Sequence, residues 1–499
     1  MVRRSIRVRG ADAASVTALT RRFERIRDDL GVPAAFPAAV VHAAGVAAGA
    51  ASDVGAGGRV DLRDVVFATV DPVGSTDLDQ AMALSRRPDG GWHVDYAIAD
   101  VPAFLVPGGP VDTEARRRGQ TLYAPDRRTP LHPEVLSEDA ASLLPDADRP
   151  AFVWRFDLAP DGAVTDVDLV RAVVRSRARL DYGQVQSAAD AHPWDAASGT
   201  FHPLPDDEVA ALAVLLREIG TARQGLERAR GGASLPLPEQ EVVAEDGRYR
   251  VVLRPALPSE DWNAQLSLMT GMAAAGLMLR GGVGLLRTLP APEQHAVDRY
   301  RRQVRALGVP WPAHEAYGDF LRRLDRSVPA HLAGMHEAGA LFRGAGYTPF
   351  DGTEPPVRIH AAVAAPYAHV TAPLRRLVDR FGLLVSHAVA SGGEVPQWVR
   401  EVLPLLPAAM ASSDQLAGEL ERRCVDVVEA AVLADRVGEV FDAVTVDVGK
   451  DPANGGKVQL LDPAVLVRAA GPLTVGTAVR LRLDAADPDT GRVTLSPVS

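Results

Sequence analysis

The sequence has almost no cysteine and almost no lysine. Cys424 is the single cysteine, so an intrachain disulfide is excluded, and so is a thiolate zinc cluster supplied by this chain alone. Lysine occurs at 450 and 457, and every other basic side chain is arginine. Arginine offers planar forks that suit phosphate. We nevertheless attribute the predominance of arginine over lysine to codon bias, because alanine, glycine, proline and valine are also abundant.

Long hydrophobic runs are missing as well. The longest apolar-leaning segment, Trp262 to Leu279, is interrupted by polar residues such as Asn263 and Gln265. A membrane-spanning helix needs about 20 mostly apolar residues. The first residues are basic but are not followed by the apolar core of a signal peptide. We therefore expect a cytoplasmic protein without membrane contact, and we expect it to be a monomer.

The length and patterning of the chain indicate several domains. A chain of 499 residues with 47% apolar and 24% charged residues is typical of a soluble globular protein of two to four domains. Apolar residues at helical spacing predict a helix over residues 11–30. Strand-like runs alternate with turns over 60–185, and mostly helical segments follow. Alternating apolar residues near the C-terminus predict a small antiparallel barrel.

An acidic loop, residues 69–80, carries the most informative chemistry. It follows the strand-like run Val65–Ala68 and contains Asp71, Asp77 and Asp79. Oxygen-rich acidic clusters suit hard divalent cations, and magnesium usually takes one or two carboxylates plus substrate phosphate. That chemistry indicates phosphoryl transfer or phosphodiester hydrolysis. An acidic surface turn remains an alternative for the loop taken by itself.

Other blocks surround this loop in a distinctive order. They are Arg59–Asp64, Tyr96–Val101, Arg118–Arg127, Pro130–Ser137 and Tyr367–Arg376. In this order and at these separations, the blocks resemble the catalytic domain of the ribonuclease II/R family. Members of that family are processive 3′-to-5′ exoribonucleases that release nucleoside 5′-monophosphates from single-stranded RNA. The resemblance covers roughly residues 31–499.

The resemblance implies a metal site in the acidic loop. The first three aspartates of the family's acidic motif match Asp71, Asp77 and Asp79, which are expected to bind magnesium or manganese and to be catalytic. The equivalent of Asp79 is the most critical carboxylate of the family. The fourth aspartate is replaced by Gln80. An amide oxygen can still coordinate a cation, but it does not supply a full negative charge.

The resemblance also implies contacts with RNA. Arg375 is expected to face the scissile phosphate as a catalytic cation, with Arg376 beside it on the RNA. Tyr123 matches a tyrosine that stacks near the RNA 3′ end, Tyr182 is a weaker candidate for the same channel, and Glu421 aligns with a substrate-contacting glutamate. Without the surrounding motifs, an arginine pair at the start of a helix is more often exposed to solvent than catalytic. Tyr123 taken alone is as readily a residue of the hydrophobic core as one that stacks on RNA.

The domain prediction combines pattern and resemblance. We predict an α+β protein with a short helical N-terminal module over residues 1–58, which resembles a helix-turn-helix. A mixed catalytic domain with an antiparallel sheet and packed helices follows over 59–438, and a five-stranded OB barrel that binds RNA over 439–499. The family usually carries two cold-shock domains before the catalytic domain, for which this sequence has no room, so a short form is expected.

Three functions remain open at this stage. The leading one is a metal-dependent exoribonuclease that acts on single-stranded RNA, including structured RNA with a 3′ overhang. The second is a catalytically silent RNA-binding protein with the same fold, which the substitution at Gln80 favours. The third is an unrelated acidic-loop phosphoesterase, but this alternative leaves Tyr123 and the C-terminal barrel unexplained. His369 is predicted to be structural rather than a general base.

Overall fold

A computed structural model describes most of the chain. The described residues are 6–10, 13–50, 58–192, 204–233, 235, 239–245, 248–254, 256–325, 328–448, 455–462 and 465–498. The helices are α1 (Ala13–Asp29), α2 (Ala38–Gly49), α3 (Pro110–Arg118), α4 (Tyr182–Asp190), α5 (Glu208–Arg230), α6 (Pro258–Gly281), α7 (Gln294–Ala306), α8 (Tyr317–Arg322), α9 (Pro329–Ala338), α10 (Leu377–Ala390), α11 (Gln397–Val402) and α12 (Leu406–Leu433).

The strands form one closed barrel and several smaller sheets. The strands are β1 (Ile6–Gly10), β2 (Val60–Asp71), β3 (Gln80–Arg86), β4 (Trp92–Ala99), β5 (Leu122–Tyr123), β6 (Arg128–Thr129), β7 (Asp148–Leu158), β8 (Val164–Asp181), β9 (Glu239–Glu245), β10 (Arg248–Arg254), β11 (Val283–Thr288), β12 (Gly346–Asp351), β13 (Ile359–His360), β14 (Ala365–Pro366), β15 (Val440–Val448), β16 (Gly456–Leu460), β17 (Leu466–Ala469), β18 (Ala478–Asp487) and β19 (Arg492–Pro497). The α+β prediction is confirmed.

The central barrel is closed in the order β2-β3-β4-β7-β8. Four of its pairings are antiparallel, but β2 and β8 run parallel. The prediction of an antiparallel sheet therefore needs this correction. An odd number of strands cannot alternate in direction all the way round a ring, so at least one neighbouring pair must be parallel. As a consequence, β2 and β8 end together, with Asp71 paired opposite Asp181.

Both faces of the barrel strands β4 and β7 are largely buried. Along them the large side chains, including Tyr96, Trp154 and Phe156, join a cluster with helices α5, α6 and α10. The alternate positions carry small side chains such as Ala97 and Val153, which pack with α2 and the segment 101–143. This burial explains why β4 and β7 carry apolar residues at successive positions rather than at alternate ones.

Helix α6 brings a distant segment of the chain close to the barrel. Gly271 lies on this helix, and a Cβ atom there would meet the Tyr367 ring at 2.1 Å and the Ala368 carbonyl oxygen at 2.6 Å. The Ala368 N–H instead donates to the Gly271 carbonyl at 3.0 Å. Glycine at this position lets residues 367–368 lie directly on the helix. The residues that follow, up to the start of α10, are thereby placed at one end of the barrel.

The N-terminal and C-terminal elements pack around the long helix α12. Leu19 and Phe23 of α1 share a buried cluster with Leu420 and Val428 of α12. Strand β1 pairs in parallel with β9, a partner that the sequence patterning did not predict. No helix in the described parts of the chain is long and apolar enough to cross a bilayer.

The C-terminal sheet has the predicted five strands, in the order β17-β16-β15-β18-β19. Neighbouring strands are all antiparallel. The N–H of Ala470, just after β17, donates to the carbonyl of Leu495 on β19 at 3.0 Å. This bond joins the two edges of the sheet, so the barrel is nearly closed. Lys457 lies on β16, whereas Lys450 falls outside the described residues.

Candidate active site

The acidic loop connects β2 to β3 at one end of the central barrel. Asp71 is the last residue of β2, and Gln80 is the first residue of β3. The Ser75 N–H donates to the Pro72 carbonyl at 3.1 Å, and Gly74 has a φ of +82°, which favours glycine. The loop therefore turns sharply straight after a buried strand. This turn brings the later carboxylates back toward the end of the barrel.

A cluster of polar side chains holds the middle of the loop. The Ser142 hydroxyl donates to the Thr76 carbonyl at 2.7 Å and accepts from the Leu78 N–H at 2.9 Å. Arg128, on β6, donates to the Asp77 carboxylate and, at 2.5 Å, to the Thr76 hydroxyl. Because these contacts come from other elements, the loop conformation is fixed by the fold rather than by its own sequence.

Asp79 is the most buried of the three carboxylates, with 3% of its surface exposed. Its Oδ1 accepts a hydrogen bond from the Leu374 N–H at 2.7 Å. Its Oδ2 lies 3.5 Å from Nε of Arg375. Burial raises the pKa of Asp79 well above its ordinary value, although Arg375 and the Leu374 N–H oppose that rise. The acidic loop is thus joined directly to a segment that lies 295 residues away in sequence.

Asp71 carries a carboxylate oxygen that needs a partner. Its Oδ2 is buried and has no hydrogen-bond partner among the described residues. Burial raises the pKa of Asp71 to about 7; Arg375 opposes the rise and Asp77 adds to it. A buried oxygen of this kind is costly unless a cation or a donor compensates it. Arg375 and Arg179 act on Asp71 through their charges but donate no hydrogen bond to Oδ2, so this oxygen can still bind a cation or accept from a donor.

The donor set fits a divalent cation that shares its ligands with substrate. In the part of the chain that the structure describes, no group of three or more His, Cys, Asp or Glu side chains converges closely enough to hold a metal alone. Magnesium usually takes one or two protein carboxylates and completes its shell with water and substrate phosphate. The unpartnered Asp71 oxygen and the neighbouring Asp79 suit that kind of site.

The segment 371–376, which we call the arginine segment, forms the opposite wall of the site. Ala372 N–H donates to the Asp379 carboxylate at 2.7 Å, which fixes the segment at the start of α10. The side chain of Arg375 is 51% exposed, so it is accessible to a ligand. Nearby Asp79 and Tyr123 raise the pKa of Arg375 despite its desolvation, so the side chain is a permanent cation.

Tyr123 stands beside this arginine. The Thr121 N–H donates to the Arg375 carbonyl at 2.9 Å, so the strand β5 runs directly next to the arginine segment. Tyr123 pairs with Arg128 across the β5–β6 hairpin, and its side chain is 48% exposed. Desolvation raises the pKa of its hydroxyl, and the charge of Arg375 opposes the rise. The hydroxyl is therefore close enough to Arg375 to interact with its charge. Tyr123 is therefore an accessible ring in the site.

Tyr182 approaches the same site from the other side. It is the first residue of α4, directly after β8, and the parallel pairing of β2 with β8 brings it near Asp71. Burial and the Asp71 charge raise the pKa of Tyr182 to about 12. Its hydroxyl accepts a hydrogen bond from Asn263 at 3.3 Å. The predicted residues Asp71, Tyr123, Tyr182 and Arg375 are thus brought together.

Three other predicted residues have different surroundings. The Gln80 amide is hydrogen-bonded to Tyr96 and to the Thr371 carbonyl, both at 2.6 Å. Arg376 is paired with Asp379 at 2.8 Å. Glu421 is a partly buried residue of α12. Metal binding by Gln80 and RNA binding by Arg376 and Glu421 stay predictions.

His369 is buried in an aromatic cluster, as predicted for a structural residue. Its Nδ1 is 2.8 Å from the Tyr347 hydroxyl, and its ring packs edge-on against Tyr367. Burial lowers the pKa of His369 well below its ordinary value. A neutral imidazole that is enclosed by aromatic rings fits a packing role in the core.

Sequence analysis missed the residues that hold the site in place. Glu138 accepts from the Thr76 hydroxyl at 2.8 Å and Ser142 donates to the Thr76 carbonyl, and these residues lie 62 and 66 positions after Thr76. Asn263 was noted only as a polar interruption in an apolar segment. That interruption was a usable signal, because a polar residue inside a buried helix needs a partner.

The fold and the site together define a class of protein. An α+β barrel presents buried carboxylates, one with an unpartnered oxygen, beside an accessible arginine and an accessible tyrosine. This arrangement suits proteins that hold or cleave phosphodiesters.

The comparison with protein-family models identifies the family within that class. The RNB domain model matches residues 59–389, and the model of the RNase II-type exonuclease C-terminal S1 domain matches residues 439–498. The chain therefore belongs to the RNB-domain family, as the motif blocks in the sequence predicted.

Known relatives agree with this assignment. Ribonuclease R of Escherichia coli is 28% identical over 414 residues, which are 78% of this chain and 49% of that protein. A Mycoplasma genitalium RNase R, solved in complex with ribose-methylated single-stranded RNA, has the same fold, with a TM-score of 0.81 at 18% identity. That match covers 96% of this chain and 78% of the other.

One solved structure with a similar fold is that of a protein described as a pseudonuclease. Yeast Ssd1, described as a pseudonuclease, matches with a TM-score of 0.64 at 14% identity, over 87% of this chain and 52% of that one. The chain spans from 33% to 60% of the length of the curated relatives that it matches.

Proposed function

We propose that the protein is a metal-dependent exoribonuclease. It removes nucleoside 5′-monophosphates processively from the 3′ end of single-stranded RNA, including the 3′ overhangs of structured RNA. Magnesium or manganese is the expected cofactor. Membership of the RNB-domain family and the fold shared with RNase R support the proposal.

The single observation that carries the proposal is the contact between the acidic loop and the arginine segment. Asp79 accepts from the Leu374 N–H at 2.7 Å and lies 3.5 Å from Arg375. A phosphate bound beside this pair would therefore meet cation-binding carboxylates and a fixed positive charge in the same site. Groups of these two kinds stabilise charge that develops on a phosphate.

The reaction is a hydrolysis at the terminal phosphodiester. A water oxygen attacks the phosphorus, the bond from phosphorus to the 3′ oxygen of the preceding nucleotide breaks, and that oxygen leaves with a proton. The terminal nucleotide is released with its 5′ phosphate. The cation, when held by Asp71, Asp77 and Asp79, would lower the pKa of the attacking water and offset phosphate charge.

Side chains of this protein orient the reactants. Arg375 donates to the non-bridging phosphate oxygens as negative charge grows on them. Tyr123 stacks on a base near the 3′ end, a contact that tolerates any sequence because every base has a π face. Tyr182 lines the side of the site next to Asp71. Together these groups hold the terminal phosphate in line with the attacking water.

A 5′-labelled single-stranded oligoribonucleotide tests this proposal. Incubation with magnesium, and separately with manganese, followed by separation beside a size ladder, should show RNA shortened from its 3′ end to a small limit product with few intermediate lengths, because the proposed degradation is processive. A DNA oligonucleotide of the same sequence is the control for RNA preference. Internal cuts, or intact RNA with both metals, would contradict the proposed activity.

The second candidate is a catalytically silent RNA-binding protein. The observation in its favour is that an amide, Gln80, stands where the family has its fourth aspartate. The proteins similar to this chain include the Arabidopsis thaliana inactive exonuclease DIS3L2 and the yeast pseudonuclease Ssd1. Under this alternative the same oligonucleotide binds with salt-sensitive affinity but stays intact in both metals. The ladder assay therefore separates the two functions in one experiment.

A further inference from the structure

The side chain of Gln80 links two halves of the site. It lies at the start of β3, one residue after Asp79, and its Nε2 donates to the Thr371 carbonyl at 2.6 Å. Its Oε1 accepts from the Tyr96 hydroxyl at 2.6 Å, with the Ser267 hydroxyl at 3.4 Å. Thr371 is the first residue of the arginine segment and is 291 residues away in sequence.

The partners of Gln80 require both ends of an amide. The Thr371 carbonyl can only accept a hydrogen bond, so the group that faces it must be a donor. The Tyr96 hydroxyl is fully buried, and burial raises its pKa, so it remains protonated and donates to Oε1. Rotating the amide by half a turn would set its oxygen against the carbonyl oxygen. An ionised carboxylate at this position would create the same repulsion.

The hydrogen bonds of Gln80 act on the same segment that contacts Asp79. Thr371 is 5% exposed, so its carbonyl would be left desolvated without a donor. Three residues later, Leu374 donates its N–H to Asp79, and Arg375 follows. The segment is thus tied to the start of β3 at two points, by Gln80 to Thr371 and by Asp79 to Leu374.

We propose that Gln80 is a positioning residue: its amide fixes the arginine segment against the acidic loop and thereby sets where Arg375 meets the scissile phosphate. This role rests on the proposed function for its catalytic consequence. In this role the amide oxygen of Gln80 accepts the hydrogen bond from Tyr96 and does not bind a cation. Catalytic geometry is sensitive to such a link, since a displacement of about 1 Å can cost roughly 100-fold in rate.

The test substitutes Gln80→Met, which keeps the length of the side chain and removes both hydrogen bonds. The matched control is Gln294→Met, an exposed glutamine at the start of α7. We expect Gln80→Met to lower kcat by about tenfold to 100-fold, with KM within about twofold of the original protein. The control should change neither. If Gln80→Met fails to fold, Tyr96→Phe removes the hydroxyl that contacts Gln80 and Ser267 but leaves the bond from Gln80 to Thr371, so it should show a smaller loss of kcat.

A second measurement does not depend on activity. Hydrogen exchange of a peptide that covers residues 371–376 reports on the Leu374 N–H, which donates to Asp79. In metal-free protein, Gln80→Met should accelerate exchange of this peptide by about tenfold or more, while peptides from β4 and α10 keep their rates. The same peptide should be unchanged in Gln294→Met.

Two results would overturn the positioning role. One is unchanged exchange over residues 371–376 together with an unchanged kcat in Gln80→Met. The other is a Gln80→Glu variant with unchanged kcat and unchanged exchange over residues 371–376, since its carboxylate cannot donate to the Thr371 carbonyl and would repel it. If the unaltered protein does not cleave RNA, the proposed function fails, and the exchange measurement still decides whether Gln80 holds the segment.

Discussion

Removal of the Tyr123 ring should weaken binding at the 3′ end of RNA without destabilising the fold. The side chain is 48% exposed, and its strand contacts are made by backbone groups, so Tyr123→Ala leaves the β5–β6 pairing in place. Surface substitutions of this kind usually change the unfolding free energy by no more than about 0.5 kcal/mol. A loss of RNA affinity would therefore report on the ring itself.

The expected size follows from stacking energies. One base stacked on an aromatic ring contributes about 1–3 kcal/mol, and every 1.4 kcal/mol is a factor of ten in Kd. Because half of the Tyr123 ring already contacts protein, we expect about 1–2 kcal/mol, which is roughly a 5-fold to 30-fold weaker Kd. The chemical step should survive, and the limit product should become longer or less uniform.

The assay is fluorescence anisotropy with a 5′-labelled single-stranded RNA in the absence of divalent metal, followed by the product ladder with metal. Tyr123→Phe is the matched control, because it keeps the ring and removes the hydroxyl; its Kd should stay within about twofold of that of the original protein. Val106→Ala, an exposed side chain outside the site, controls for surface truncation. An unchanged Kd and an unchanged ladder in Tyr123→Ala would show that the ring does not bind RNA.

Four further predictions concern the site and its support. Asp79→Asn should reduce cleavage by about 1,000-fold or more without lowering Tm, because a buried carboxylate with a raised pKa opposes folding when ionised; near-normal turnover would refute its role. Arg375→Lys should lower kcat by about 100-fold while RNA binding is retained, since an ammonium lacks the planar fork; equal kcat values would place Arg375 outside the reaction. Arg128→Ala should reduce the unfolding free energy in urea by about 1–2 kcal/mol and slow cleavage, because Asp77 and Thr76 lose their donor; an unaltered urea midpoint would argue against that support. Cys424 is buried and burial raises its pKa to about 12, so a thiol reagent should label it only after denaturation, and rapid labelling of native protein would contradict the packing of α12.

The sequence predicted those parts of the structure that have local patterns. The helix α1 follows the apolar spacing of Leu19, Phe23 and their neighbours. The alternation of apolar residues in the last sixty positions predicted a small antiparallel barrel, and the family resemblance implied its five strands. The acidic loop was found because its carboxylates lie within one turn region. Its pairing with Arg375 was expected from the resemblance of several blocks to one family, not from any local feature.

Contacts between distant segments could not be predicted in this way. The parallel pairing of β2 with β8 follows from closing a ring of five strands, and the strand count becomes known only once the barrel is seen. The substitution of Gln80 for a family aspartate suggested a weaker metal ligand. The structure shows an amide engaged by Tyr96 and Thr371, and no local pattern in the sequence identifies either partner; metal binding by Gln80 stays a prediction.

The most direct test of the proposed hydrolysis uses water enriched in oxygen-18. Single-stranded RNA is digested in that water with magnesium, and the masses of the released mononucleotides are measured by mass spectrometry. The Asp79→Asn variant is the inactive control. The account predicts nucleoside 5′-monophosphates that carry one heavy oxygen on phosphorus, because water attacks the phosphorus and the 3′ oxygen leaves. Cyclic phosphates, 3′-monophosphates, or 5′-monophosphates without the heavy oxygen would contradict it.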